Sequence, residues 1–124
     1  MKVPYNTSIN PPAPFLPVRI SNLADVEPVS LQAQVDTGAD ITAIPAQLID
    51  RLGLVPADEI EVEGYDGHRS AIYCYDVILH IDGLRVVGLS TIAFAEDHVL
   101  LGRDILNLLR VLLDGPAFSL ETLS

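Results

Sequence analysis

The stretch LQAQVDTGADITAIP, residues 31–45, decides how this chain reads. Leu31, Ala33 and Val35 alternate with Gln32 and Gln34, the period-two pattern of a strand with one buried face. That run ends on a carboxylate, Asp36, followed by Thr37, Gly38, Ala39 and Asp40. An aspartate at a strand end either caps a turn or is held there for proton chemistry. A hydroxyl beside it can donate or accept a hydrogen bond, and a glycine lets backbone and ligand approach without a Cβ. The local design suits a fixed carboxylate within reach of solvent.

Working outward, FLPVRI (15–20) and VSLQAQV (29–35) predict a hairpin that delivers Asp36. Downstream, IPAQLIDRLGL (44–54) predicts a short helix from about Pro45 to Leu52, with Pro45 in its first turn and Gly53 at its C-terminus. Residues 59–95 supply several β-rich runs separated by two Asp-Gly turns, Asp66-Gly67 and Asp82-Gly83. The first turn, GYDG, is flanked by Glu59, Glu61, Glu63, His68 and Arg69, so it should project from the body. The final 27 residues predict a strand ending at Gly102, a helix over about Arg103 to Leu109, and a closing hairpin RVLLDGPAFSLE around Asp114-Gly115-Pro116. Residues 1–14 hold four prolines and little periodicity, an extended arm preceding a domain that spans 15–124.

Length and composition bound the answer. A chain of 124 residues is one domain's worth, and its many Val, Ile and Leu, nine Pro and eight Gly describe a strand-rich fold. A formal charge of −10 would repel a nucleic-acid backbone or an anionic membrane, so neither is an expected partner. Cys74 is the single cysteine and reads as a small packed side chain on a strand. No apolar run approaches a membrane span and no signal peptide is recognisable, so a cytoplasmic setting is expected.

Most catalytic chemistries find no support. His68, His80 and His98 fall outside any ligand spacing, and Asp36 with Asp40 does not meet the calcium-loop pattern, so no metal or other cofactor is expected. There is no Gly-x-Ser-x-Gly and no phosphate loop. One carboxylate cannot both activate water and protonate a substrate. Two sharing a proton can, because like charges a few ångströms apart cannot both ionise. The chain's nearest echo of the motif, LLDGP at 112–116, lacks the Ser or Thr, so a dyad would need the Asp36 of a second chain.

Three segments in order, VDTGAD (35–40), GYDG (64–67) and VLLGRDIL (99–106), resemble the catalytic loop, flap tip and hydrophobic-hydrophobic-Gly element of the retropepsin-like aspartic proteases. The resemblance covers about Phe15 to Leu120. It implies an all-β fold: a pepsin-type closed β-barrel half-lobe with one or two short helices, a flap hairpin and a psi-type loop. It further implies an aspartic endopeptidase, a homodimer acting on polypeptide, with Asp36 catalytic and Thr37 bonding across the dimer axis. Gly38 would offer its carbonyl to substrate, Ala39 would line the pocket, and Asp40 would accept from substrate amides while pairing with Arg103, beside Gly102. Gly64, Tyr65, Asp66 and Gly67 would close over the peptide, with Ile44 and Leu101 in the pocket wall. A shared-proton dyad favours mildly acidic pH. The chain departs from the retroviral pattern in its long Pro-rich arm and in the closing hairpin, which is expected to pair with its symmetry mate. The competing reading is a catalytically silent peptide-binding or dimerisation module of the same fold.

Overall fold

The computed structural model describes residues 1–123. The alternating run of the opening stretch forms β3 (Val29–Val35), antiparallel to β2 (Phe15–Ser21), with Phe15 opposite Gln34 and Ile20 opposite Val29. Leu16, Val18, Ile20, Val29 and Ala33 point inward from this pair and are buried. The expected hairpin is therefore present.

β3 then pairs in parallel with β8 (Val99–Leu101), and β8 with β4 (Ala43–Pro45). β4 lies parallel to β7 (Leu84–Phe94), which is antiparallel to β6 (Arg69–Ile81). Because β6 returns to β2 through Arg19, Ile20 and Ser21, six strands close a barrel in the order β2, β3, β8, β4, β7, β6. Leu16, Ile44, Leu79, Val99, Leu101 and Ile105 fill its centre with essentially no exposure. Closure leaves none of these six strands an unpaired edge along its full length. The all-β closed barrel expected from the sequence is the observed fold.

β6 is shared between two environments. Its first half pairs outward with β5 (Asp58–Glu63), from Glu63 opposite Arg69 to Asp58 opposite Cys74, and this hairpin leaves the barrel. From Tyr75 onward the strand pairs with β7 instead. Cys74, at the change of partner, is buried as expected and unpaired by any disulfide. The β6 to β7 turn has positive φ at both Asp82 (44°) and Gly83 (79°), the two-residue geometry that matches strand twist.

The helices are shorter than their sequence signals. α1 spans Gln47–Leu52 and ends at Gly53 in the left-handed region (φ 64°), as the sequence predicts. Pro45, however, is the last residue of β4, buried and paired with Phe94, not part of the helix. α2 covers only Arg103–Leu106, followed by a turn. Among the described residues no helix is long and apolar enough to cross a membrane.

The closing hairpin forms as β9 (Arg110–Asp114) and β10 (Ser119–Leu123). The N-terminal arm is stitched to it: β1 (Lys2–Pro4) pairs with β10, and Asn6 bridges Ala13. The resulting three-stranded sheet runs β1, β10, β9, with Leu120 fully buried against the barrel.

Candidate active site

The parallel register of β3 on β8 sets Val35 beside Leu101, so Asp36 emerges next to Gly102. The Asp36 N–H donates to the Leu101 carbonyl (3.1 Å), which continues the pairing one residue past the strand. The carboxylate Oδ1 then accepts from the Gly38 N–H (2.9 Å), and the Ala39 N–H donates to the Asp36 carbonyl (3.2 Å). Residues 36–39 are thus a turn wound round their own carboxylate. Asp36 is half-buried, while Thr37 and Gly38 are exposed.

α2 pins this turn from its far side. The Arg103 N–H donates to the Ala39 carbonyl (2.9 Å). Its guanidinium donates to the Thr37 carbonyl (2.8 Å) and to the Asp40 carboxylate. One planar fork therefore bridges both flanks of Gly38. The Arg103–Asp40 pair is open to solvent, so it holds geometry more than it adds stability.

Beneath lies a polar knot that sequence reasoning missed. Thr42, fully buried, donates through Oγ1 to Asp104 Oδ1 (2.6 Å), and its N–H donates to Asp104 Oδ2 (2.9 Å). The same hydroxyl accepts from the Gly102 N–H (3.1 Å). These bonds join residues about sixty positions apart and satisfy every polar group involved. Gly102 is required by space: a Cβ there would stand 2.8 Å from the carbonyl carbon and 2.9 Å from the oxygen of Ile41. The signal available in the sequence was the Asp that directly follows Gly102-Arg103, with no role in the motif as read.

The remaining expected site residues divide. Gly64, Tyr65, Asp66 and Gly67 form the exposed tip of the β5–β6 hairpin, closed by Gly67 N–H to the Gly64 carbonyl (3.0 Å). Ala39 is half-buried and Asp40 exposed. Leu101 and Ile44, expected in the pocket wall, are instead fully buried core residues, because inward positions of β8 and β4 face the barrel interior. Leu101 serves the loop through its carbonyl. An open groove of about 1230 Å³ lies elsewhere, between the N-terminal arm and the β6–β7 turn, and none of residues 36–40 lines it. The histidines each find an acidic neighbour: His68 with Asp66, His80 with Asp25, and His98 with Asp97 and Glu96. The last three are consecutive residues of one surface turn, and the His98 ring sits edge-on to Phe15 and Phe94.

The sequence model of the gag-polyprotein putative aspartyl proteases matches residues 24–108, which includes the 36–40 turn, the β5–β6 hairpin and α2. The chain belongs to that family. Its closed barrel is of the retropepsin-like fold. A retropepsin-like aspartic protease from Rickettsia conorii shares its fold over 98% of this chain and 88% of its own, with 17% identity and a TM-score of 0.63. The EIAV protease, in complex with an inhibitor, is similar over 85% of this chain and 92% of its own (23% identity, TM-score 0.56). A foamy viral protease-reverse transcriptase bound to an RNA/DNA hybrid is similar over 79% of this chain (21% identity, TM-score 0.59), and this chain spans 12% of that longer one. No curated protein matches the chain.

Proposed function

We propose that two copies of this protease bring their Asp36 turns together and hydrolyse peptide bonds as an aspartic endopeptidase. The observation that carries the reading is the state of the aspartates around the turn. Asp40 is paired with Arg103 and Asp104 with Thr42, whereas among the described residues the half-buried Asp36 carboxylate accepts only from the Gly38 N–H of its own turn. Its second partner must come from another copy.

In the pair, the two carboxylates share one proton because like charges at such distance cannot both ionise. The ionised member takes a proton from water as it attacks the peptide carbonyl, and the protonated member donates to the carbonyl oxygen. The C–N bond of the resulting gem-diol then breaks as the carboxyl that took water's proton passes it to the leaving nitrogen. The other carboxylate takes a proton back from a gem-diol hydroxyl, which releases amine and acid and restores the one-proton pair. The Gly38 N–H holds Asp36 Oδ1 in place throughout, which spares reorganisation during the reaction. Thr37, exposed on the turn, reaches across the axis. The Gly38 carbonyl and the Asp40 carboxylate receive substrate backbone amides, and the hairpin tip at 64–67 closes over the peptide to exclude water.

The test compares wild type with Asp36→Asn on a diverse peptide mixture between acid and neutral pH, read by mass spectrometry. Cleavage by wild type alone, fitted best by mildly acidic conditions, supports the reading. A wild type that cleaves nothing while remaining dimeric refutes it and leaves a silent peptide-binding module.

A further inference from the structure

We infer that the groove between the N-terminal arm and the β6–β7 turn is a second binding site, which takes an extended, acidic segment of a polypeptide through Arg19. None of residues 36–40 lines this groove, so the inference does not depend on how Asp36 is used. At about 1230 Å³ and open to solvent, the groove is larger than the roughly 300–1,000 Å³ of an ordinary small-molecule pocket and suits a length of chain.

Its floor carries a row of polar side chains, one from each of four neighbouring strands. Ser30 on β3 stands opposite Arg19 on β2, Arg19 opposite His80 on β6, and His80 opposite Arg85 on β7. Partners in antiparallel strands point to the same face, with Cβ atoms about 4.5–5.5 Å apart. Here it is the outer face, because the adjacent Ile20, Val29, Leu79 and Ile81 are buried inside the barrel. All four members of the row line the groove. Basic side chains directly opposite one another work against the fold unless an anion offsets them. At one end that anion is Asp25, which accepts from Arg85 Nη2 at 3.0 Å and faces His80 Nε2 at 3.4 Å. The row therefore already holds one carboxylate.

Arg19 is left out of that arrangement. It is exposed, and among the described residues it makes no ion pair. The chain has 17 acidic residues against 7 Lys and Arg, so an arginine without an acidic partner does not reflect a shortage of acids. Its planar fork is suited to a carboxylate, and the Ser30 hydroxyl beside it can donate to the same group. Apolar contacts for the neighbouring residues of a bound segment come from Ile9 of the arm and Leu84 of the turn. The cationic stretch is short, since Asp82 and Asp97 also line the groove, so it fits one or two carboxylates and not a continuous polyanion such as a nucleic acid. The formal charge of −10 opposes any anion at long range. At physiological ionic strength, however, the Debye length is about 8 Å, which screens remote acids more than a pair in contact.

The experiment is a heteronuclear NMR titration at about 0.15 M salt. It uses the full chain carrying Asp36→Asn, which keeps the probe intact, and the capped peptide acetyl-Gly-Leu-Glu-Glu-Leu-Gly-amide. The probe should shift the backbone amide signals of Arg19, Ser30 and Arg85. Its Gln-Gln counterpart should bind about three- to fivefold more weakly, the size of one exposed ion pair. Arg19→Gln should bring the same loss, and Arg51→Gln, which removes an equal charge outside the groove, should not. A dispersed spectrum checks that each variant is folded, and the comparison of the two peptides needs no change to the groove at all. Shifts confined to other residues, equal binding of the two peptides, or equal losses from Arg19→Gln and Arg51→Gln each overturn the inference. So does inorganic phosphate that saturates the same amides at lower concentration than the peptide, since the groove would then be a small-anion site. Because Asp36 is already replaced in the titration, a native chain that cleaves no peptide refutes the proteolytic reading and leaves this result standing.

Discussion

Replacing Gly102 by Ala tests the architecture beneath the Asp36 turn. The residue has φ −86° and ψ 179°, extended backbone open to any side chain, so the effect of a methyl group is purely steric. That methyl carbon would stand 2.8 Å from the Ile41 carbonyl carbon, 2.9 Å from its oxygen and 3.1 Å from Asp104 Oδ1. Ordinary carbon contacts begin near 3.5 Å, so the 41–42 segment and β8 must separate by roughly 0.7 Å. Overpacking of this kind costs about 1–3 kcal/mol. The same displacement stretches the 3.1 Å bond from Gly102 N–H to Thr42 Oγ1 out of range, at a further ~0.5–1.5 kcal/mol. The expected loss is about 1.5–4.5 kcal/mol, or a fall in Tm of roughly 6–17 °C for a domain of this size. Urea and thermal unfolding read it, with Gly115→Ala as the control, since nothing lies within 4 Å of a Cβ there. Because Leu101 carries the carbonyl that holds the Asp36 N–H, peptide cleavage should fall as well, even below the melting range. A Gly102→Ala protein within about 0.5 kcal/mol of wild type would refute the close-approach argument.

Two further outcomes follow from side chains already placed. Arg103→Met removes the fork between Asp40 and the Thr37 carbonyl; stability should change by under about 1 kcal/mol because the contacts are exposed, whereas cleavage should fall by roughly tenfold or more as the turn loosens. Arg103→Lys should not rescue it, since a point charge cannot span both acceptors; equal activity in Lys and Arg forms would argue against the bridge. Asp25 is held below the ordinary aspartate range, first by the Arg85 guanidinium and then by His80 and Ser21. A carboxyl depressed in the folded state stabilises the fold above its unfolded value and loses that contribution as pH falls through the depressed one. Unfolding midpoints of Asp25→Asn should therefore lie below wild type at neutral pH and converge with it in strong acid, and parallel curves would contradict the assignment.

How much of this was legible in the sequence depended on whether the determinant was local. The alternation of Val29, Leu31, Ala33 and Val35, the Asp82-Gly83 turn and Gly53 at a helix end each carry their instruction within a few residues, and each appears where expected. Pro45 misled because β4 is three residues long, too short for periodicity, and is defined by neighbours on β7 and β8 about fifty positions away. The pairing of β1 with β10 joins opposite ends of the chain, and prolines on either side conceal it. At the site, Asp36, Arg103 and the hairpin tip announce themselves by motif. Thr42 and Asp104 do not, because a buried hydrogen-bond knot is a property of two segments brought together and leaves no pattern in either. Leu101 and Ile44 were misplaced for the complementary reason: proximity in sequence to the Asp36 turn says nothing about which face of a strand points inward.

The change of partner along β6 divides one strand between two ladders. Up to Cys74 the strand belongs to the projecting hairpin; from Tyr75 it pairs with β7, with Thr91 Oγ1 donating to the Tyr75 carbonyl at 2.7 Å, and β2 joins its other side at Ile78–His80. The hairpin is therefore a lever whose fulcrum is one buried thiol wide. A bend at that point would leave both its own ladder and the barrel ladder intact. Amide exchange should show the boundary as a step in protection between the two halves of a single continuous strand.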